Sequence, residues 1–358
     1  PLLEEIIGSE HPTVISARGS LAGVLLRQGK FDRGDQLWQQ TLDSIQSLPS
    51  DDLGMQVLNM RYLRAMAYIQ NGRKEADETA DSLMEDIASY WGVINNETIG
   101  RFFHLAELYI SNGRAERGLL FLAYWIDRLR QESPSELPTV LGLELELASR
   151  YLANDMPIEA EKILERIVNP LIDSFGETNR LAVYGIIFQS RIMITQDRGD
   201  ESTSMLKVLR EQLASELGEE NQLTLEVEVV LAKSYLAQDR WSDLDFLMSE
   251  RLNRRQNNPK LLIDMTNVII SNENDEYKQR YLDIALQAIQ RAVSIRGEDD
   301  SETTYVLAKV YFARGEQDKA LNWLAKTVAF AGEDDENIKE YREKLEEVTV
   351  QLKETVEE

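Results

Sequence analysis

Two histidines, His11 and His104, are the chain's whole stock of imidazole, and cysteine is absent from its 358 residues. The absence of cysteine removes disulfides, thiolate nucleophiles and Cys-based metal sites together. A Ser-His-Asp arrangement or a His-based metal site would have to rest on one histidine, and neither stands in a motif for such chemistry. His11 precedes Pro12 and reads as a turn-shaping residue. His104 follows Phe103 on a predicted helix and reads as packing or groove lining. Acids number 63 against 39 lysines and arginines, so pairs such as Glu144/Glu146 and Asp243/Asp245 arise from composition alone and are expected on solvated faces. Trp38, Trp125 and Trp323 lie at helical spacing from other apolar residues and are expected in the core. Asn96-Glu97-Thr98 matches a glycosylation sequon, against which the lack of a signal-peptide pattern argues. A Gly-rich phosphate loop and a His-Glu-x-x-His motif are both missing. No catalytic residue, metal or cofactor is therefore expected, and the chain does not read as an enzyme.

A formal net charge of −24 argues against binding nucleic acid or acidic membrane surfaces, because such a field repels phosphate. No apolar run approaches the roughly 18 residues of a membrane span. These features together lead us to expect a cytoplasmic protein. With 43% apolar and 28% charged residues the chain is expected to fold, and its length calls for several domains or an extended array.

The elements that carry these residues recur. An apolar residue and Ala, then an aromatic or apolar residue three positions on, then Gly or Asp after four more, appear as Leu21-Ala22…Leu25…Gly29, Ala65…Tyr68…Gly72 and Leu105-Ala106…Tyr109…Gly113. The pattern continues as Leu147-Ala148…Tyr151…Asp155, a weaker Ser190…Met193…Asp197, Leu231-Ala232…Tyr235…Asp239 and Leu307-Ala308…Tyr311…Gly315. The small pivot residues at 22, 65, 106, 148, 190 and 232 are separated by steps of 43, 41, 42, 42 and 42. Such spacing sets apolar side chains on one face of a first helix, which the Gly or Asp ends in a left-handed turn. A second helix follows with its own stripe, as in Ala320, Leu321, Leu324 and Val328. The small residue allows the two helices to approach. A hairpin of this kind cannot bury both faces alone, so hairpins must stack.

The last unit, Ser301 to Asp334, resembles the tetratricopeptide repeat (TPR), with Leu307, Ala308, Tyr311, Gly315 and Ala320 in its signature slots. The earlier, longer units resemble the form found in kinesin light chains, whose linkers are similar to Gly8-Ser9-Glu10-His11-Pro12. Looser matches are Phe175 to Asn179, Leu217 to Asn221, and Trp91-Gly92 with Asn95-Asn96. The resemblance implies an all-α, right-handed superhelix of about eight hairpins, near 11–50, 53–92, 96–132, 138–175, 178–217, 220–256, 259–297 and 301–332. An acidic capping helix is expected over 335–358. Some slots depart from the pattern. Arg64 stands where leucine is usual, Gly34 and Gly118 are the small residues of two second helices, and the unit near 190 has lost its consensus Leu and Ala. Residues 260–296 read as a loosened hairpin with a polar insertion at Ser271–Tyr277, or as two separate helices.

The resemblance also implies a concave groove lined by first helices and used for protein or peptide binding. The slot after each pivot holds Gly23, Met66, Glu107, Ser149, Arg191, Lys233 and Lys309, and the slot three before it holds Tyr62, Phe103, Ile187, Val229 and Tyr305. Among these, Tyr62, Phe103, Arg191, Lys233, Tyr305 and Lys309 are the expected peptide-binding residues. The three cations suit a partner segment with acidic and apolar side chains; alternatively each cation pairs with an acid on a neighbouring helix. The lysine–asparagine clamp of some TPR co-chaperones is not visible. Pro1 to Gly8 reads as the end of a helix, which suggests either a trimmed chain or a longer protein whose output domain lies upstream, with this array as its sensor or scaffold.

Overall fold

The computed structural model describes residues 2–46, 53–253, 258–271, 275–331, 335 and 337–357. Among them every regular element is a helix. Two compact units divide the chain, residues 1–170 and 171–358. The first unit opens with α1 (Leu2–Ile7). It continues with α2 (Pro12–Arg27) and α3 (Phe31–Gln46), α4 (Leu53–Gln70) and α5 (Ala76–Trp91), α6 (Asn96–Ser111) and α7 (Ala115–Glu132), then α8 (Leu137–Ala153) and most of α9 (Pro157–Phe175). Within this unit α2 packs on α4, and α4 on α6.

The second unit holds the end of α9, then α10 (Arg180–Thr195) and α11 (Gly199–Glu216), α12 (Gln222–Ala237) and α13 (Trp241–Asn253). It goes on with α14 (Pro259–Ile270) and α15 (Asp275–Arg296), α16 (Ser301–Ala313) and α17 (Gln317–Phe330), and ends on α18 (Ile338–Glu357). Here the first helices α10, α12, α14 and α16 pack in sequence. The fold is therefore an all-α array of tetratricopeptide-like hairpins. Residues 260–296 form one of them: α14 and α15 pack along each other, while 272–274 lie outside the described residues.

The repeat chemistry explains many of the described boundaries, though not the start of α8, where Glu136 makes no side-chain cap. Gly8, Gly92, Gly176, Gly218 and Gly297 take positive φ at the end of one hairpin. Three residues after each comes the N-cap of the next first helix: His11, Asn95, Asn179, Asn221 and Asp300. Each cap side chain accepts a hydrogen bond from a backbone N–H of the helix's first turn, which is the ordinary task of Asn, Asp or Ser. His11 does it with Nδ1, 3.2 Å from the N–H of Thr13. Inside the hairpins the turn residue also has positive φ, in Gly29, Gly72, Gly113 and Gly315 but also in Asp155, Asp197 and Asp239. Short polar side chains tolerate that region better than other non-glycine residues.

The pivots form the spine of the core. Ala22, Ala65, Ala106, Ala148, Ser190, Ala232 and Ala308 are wholly buried, and so is Thr266 of α14. Thr266 is the pivot that the sequence pattern misses. Its neighbour Met265 replaces Leu, and its step from Ala232 is 34 rather than 42 residues. Trp38 and Trp125 are buried, and Trp323 is partly buried against the cluster formed by α16, α17 and α18.

Candidate functional site

On the first-helix face of the N-terminal unit, residues 42 or 43 apart touch across adjacent helices. The Tyr62 hydroxyl and His104 Nδ1 share a hydrogen bond of 2.5 Å whose direction follows the imidazole tautomer. Arg101 donates to Asn59 at 2.7 Å and lies over the rings of Tyr62 and Trp91. Arg150 pairs with Glu107 and covers the ring of Phe103. Burial pushes the Tyr62 hydroxyl up to about 12, against the pull of the Arg101 charge. Tyr62 and Phe103 are thus half-buried members of a ladder between first helices. This ladder is why the slot three before the pivot is not simply open: it meets the next first helix, and Ile187 is buried there.

The C-terminal unit differs. Arg191 of α10 and Lys233 of α12 are exposed at the same repeat slot. Neither forms an ion pair or hydrogen bond among the described residues. Desolvation lowers the Lys233 pKa, the Arg191 charge lowers it further, and Asp264 of α14 pulls the other way. Near this pair, α12 and α14 leave an open groove of about 520 Å³ lined by Leu225, Glu226, Val229, Lys260, Leu261 and Asp264 among others. Burial raises the Asp264 pKa in spite of Lys260, whose ammonium stands 3.3 Å away. Lys260 in turn reaches Glu302 on α16, 42 residues on, at 2.9 Å.

Tyr305 and Lys309 sit under the chain's own last helix. The Tyr305 hydroxyl donates to Glu340 at 2.8 Å, and its ring centroid is 4.5 Å from that of Tyr341 on α18. Lys309 lies over the Tyr305 ring, its pKa lowered by desolvation against the attraction of Glu340. Arg191 and Lys233 are therefore brought together, whereas Tyr62 with Phe103 and Tyr305 with Lys309 occupy other surroundings.

Two acids expected on a solvated face separate. Glu146 is exposed, but Glu144 is wholly buried, held by Arg130 of α7 and by Arg166 of α9 at 2.6 Å. It stands four residues before pivot Ala148, on the side turned to the second helices. The signal was present in that register and in Glu228, which occupies the same slot, is also buried, and meets Arg210 at 2.8 Å. Among the described residues no group of three or more acids and histidines could hold a metal ion, and no helix is long and apolar enough to cross a membrane.

The class defined by this fold is the tetratricopeptide-like repeat protein. A family model described as ChAPs (Chs5p-Arf1p-binding proteins) matches residues 195–350. Among solved structures, the chain is similar to a kinesin light chain with nearly identical TPR-like repeats from Podosopora anserina. That likeness has 21% identity, 56% of this chain and 97% of that one covered, and a TM-score of 0.43. A tetratricopeptide repeat protein from Parabacteroides merdae is 12% identical, with 82% and 99% covered and a TM-score of 0.45. A Rap protein in complex with competence and sporulation factor is 10% identical, with 95% and 99% covered and a TM-score of 0.40. No curated protein matches the sequence.

Proposed function

We propose that the chain is a non-enzymatic protein-binding scaffold whose first-helix face in the C-terminal unit docks an acidic segment of a partner at Arg191 and Lys233. One observation carries this reading: two adjacent cations without ion-pair partners, in a chain of net charge −24, beside a groove with apolar Leu225, Val229 and Leu261. At least sixteen described arginines of this protein do have acidic partners, Arg64 with Asp35 and Arg210 with Glu228 among them. Holding two like charges together with only Asp264 acting on Lys233 from α14, and no ion pair to either, costs free energy, which an incoming carboxylate would return as charge-assisted hydrogen bonds. The family model over residues 195–350 supports the coarser part of the reading, since its description is of binding proteins. In this reading Tyr62 and Phe103 offer apolar edges on the N-terminal unit's first-helix face. Tyr305 and Lys309 take part only where α18 gives way.

A labelled peptide alternating Glu and Leu tests the proposal by fluorescence anisotropy against the full chain. Arg191→Glu with Lys233→Glu should weaken binding about tenfold or more, leave the thermal midpoint unchanged, and mimic the effect of high salt on the parent protein. Affinity that survives both reversals removes the site.

A further inference from the structure

The outer, second-helix wall of the N-terminal unit carries an independent feature. Leu120 and Tyr124 of α7 are each 56% exposed, one turn apart on one face. Tyr124 rims a cavity of about 330 Å³ between α5 and α7, floored by Phe121 and Trp125 and walled by Asp81, Glu85 and Arg117. That volume lies at the lower end of the roughly 300–1,000 Å³ typical of ligand pockets. It suits one or two large side chains.

The charges around it are layered. Arg117 and, just beyond the cavity, Arg128 stand over its aromatic rings, their guanidinium carbons 5.3 Å and 5.0 Å from the ring centroids of Phe121 and Trp125. Their side chains are 24% and 25% exposed. Above them stand the carboxylates that pair with them, Asp81 and Glu85, 55% and 48% exposed. Asp77 holds Arg114 in the same way, and Glu116 and Asp127 add exposed acids along the α7 ridge. A partner approaching from solvent meets carboxylates first and aromatic surface beneath them.

The geometry points to this cavity as a docking site for a basic amphipathic helix of a partner protein. A third helix laid along the groove between α5 and α7 can insert a large apolar residue onto Phe121 and Trp125, beside Leu120 and Tyr124. Lysines or arginines flanking that residue reach Asp81, Glu85 and Asp127 and lie within cation–π range of Tyr124. An acidic helix is disfavoured by the same carboxylates, which gives the surface a charge preference opposite to that of Arg191 and Lys233.

The probe is a labelled peptide helix of leucine and lysine, with leucines at positions i, i+3, i+4 and i+7, compared with its leucine–glutamate counterpart at physiological salt. The full chain is expected to bind the lysine form and to discriminate against the glutamate form. Leu120→Ser with Tyr124→Ser should weaken the lysine form about tenfold, while Arg191→Glu with Lys233→Glu leaves it intact. Both outer residues are exposed, so circular dichroism and thermal melting should match the parent. Equal affinity of the parent and the Leu120/Tyr124 variant would overturn the proposal, because it would reduce the binding to general attraction toward an acidic protein. Absence of binding by the parent would overturn it as well.

Discussion

At the scale of single residues, the contrast between Glu144 and Lys233 shows how this protein handles charge. Glu144 is wholly buried but satisfied by two guanidiniums, and those guanidiniums keep contact with water, Arg130 at 28% and Arg166 at 48% exposure. Removing the acid therefore frees two cations that can turn outward, whereas removing both arginines strands a buried carboxylate. Glu144→Gln keeps the shape and loses charge-assisted hydrogen bonds, an expected cost of about 1–3 kcal/mol in urea unfolding. Arg130→Met with Arg166→Met should cost more, about 3–5 kcal/mol. The reverse order would mean that water reaches the carboxylate. Lys233 has no such clamp, and desolvation and the neighbouring Arg191 both hold its pKa down. Arg191→Gln should raise that pKa toward the ordinary lysine value of about 10.4, read by NMR titration of the lysine side chains. An unmoved titration would separate the two cations and dissolve the pair on which the docking site rests.

At the scale of elements, the hairpins were legible because most of them repeat the same three devices: a small pivot, a left-handed turn and a capped start. Gly and Asp at the turns and Asn or Asp three residues after the linker glycine are local signals, so they survive in a single sequence. Thr266 escaped because it preserves the small, buried character of the pivot without its usual identity, and its 34-residue step breaks the rhythm. The groove-facing slot was harder to read, since whether Tyr62, Ile187 or Tyr305 is open depends on what the next first helix places against it. That is a contact 35 to 42 residues away, as with Tyr305 and Glu340 or Tyr62 and His104. Gly118, one of the departures in the pattern, now has a cause. A Cβ there would stand 2.6 Å from the carbonyl oxygen of Ala106, so α7 and α6 approach backbone to backbone. Gly118→Ala should destabilise by about 1–3 kcal/mol, as overpacking does. Gly100, inside α6, has no neighbouring atom within 4 Å of the place an added Cβ would take, so Gly100→Ala should stabilise by about 0.5–1 kcal/mol through backbone entropy. Thermal midpoints that move in the same direction for both would reject this assignment of close packing.

At the scale of the whole molecule, both units hold buried or half-buried tyrosines, and these fix how the array responds to alkali. Burial pushes the hydroxyls of Tyr62, Tyr68 and Tyr235 up to about 12, and those of Tyr109 and Tyr305 are raised as well. In an unfolded chain tyrosine titrates near about 10. The folded state thus holds these protons more tightly, so their contribution is fully present below about pH 10 and is lost as pH rises through about 12. Lys233 and Lys309 act in the opposite sense, because desolvation lowers their pKa values and the penalty for keeping them charged is lifted as they lose their protons below about pH 10.4. Burial raises Tyr151, Tyr184 and Tyr341 too, so eight tyrosines against two lysines decide the outcome. The thermal midpoint should hold or rise slightly on approaching about pH 10 and then fall steeply toward about pH 12. The tyrosinate absorbance of these residues should appear together with the loss of helical circular dichroism rather than before it. Since Tyr62, Tyr68 and Tyr109 lie in the first unit and Tyr235 and Tyr305 in the second, neither unit should persist alone through the transition. Full tyrosine ionisation near about pH 10 with helicity intact would show that water already reaches these hydroxyls, and that the first-helix contacts built on Tyr62 and Tyr305 are looser than their geometry implies.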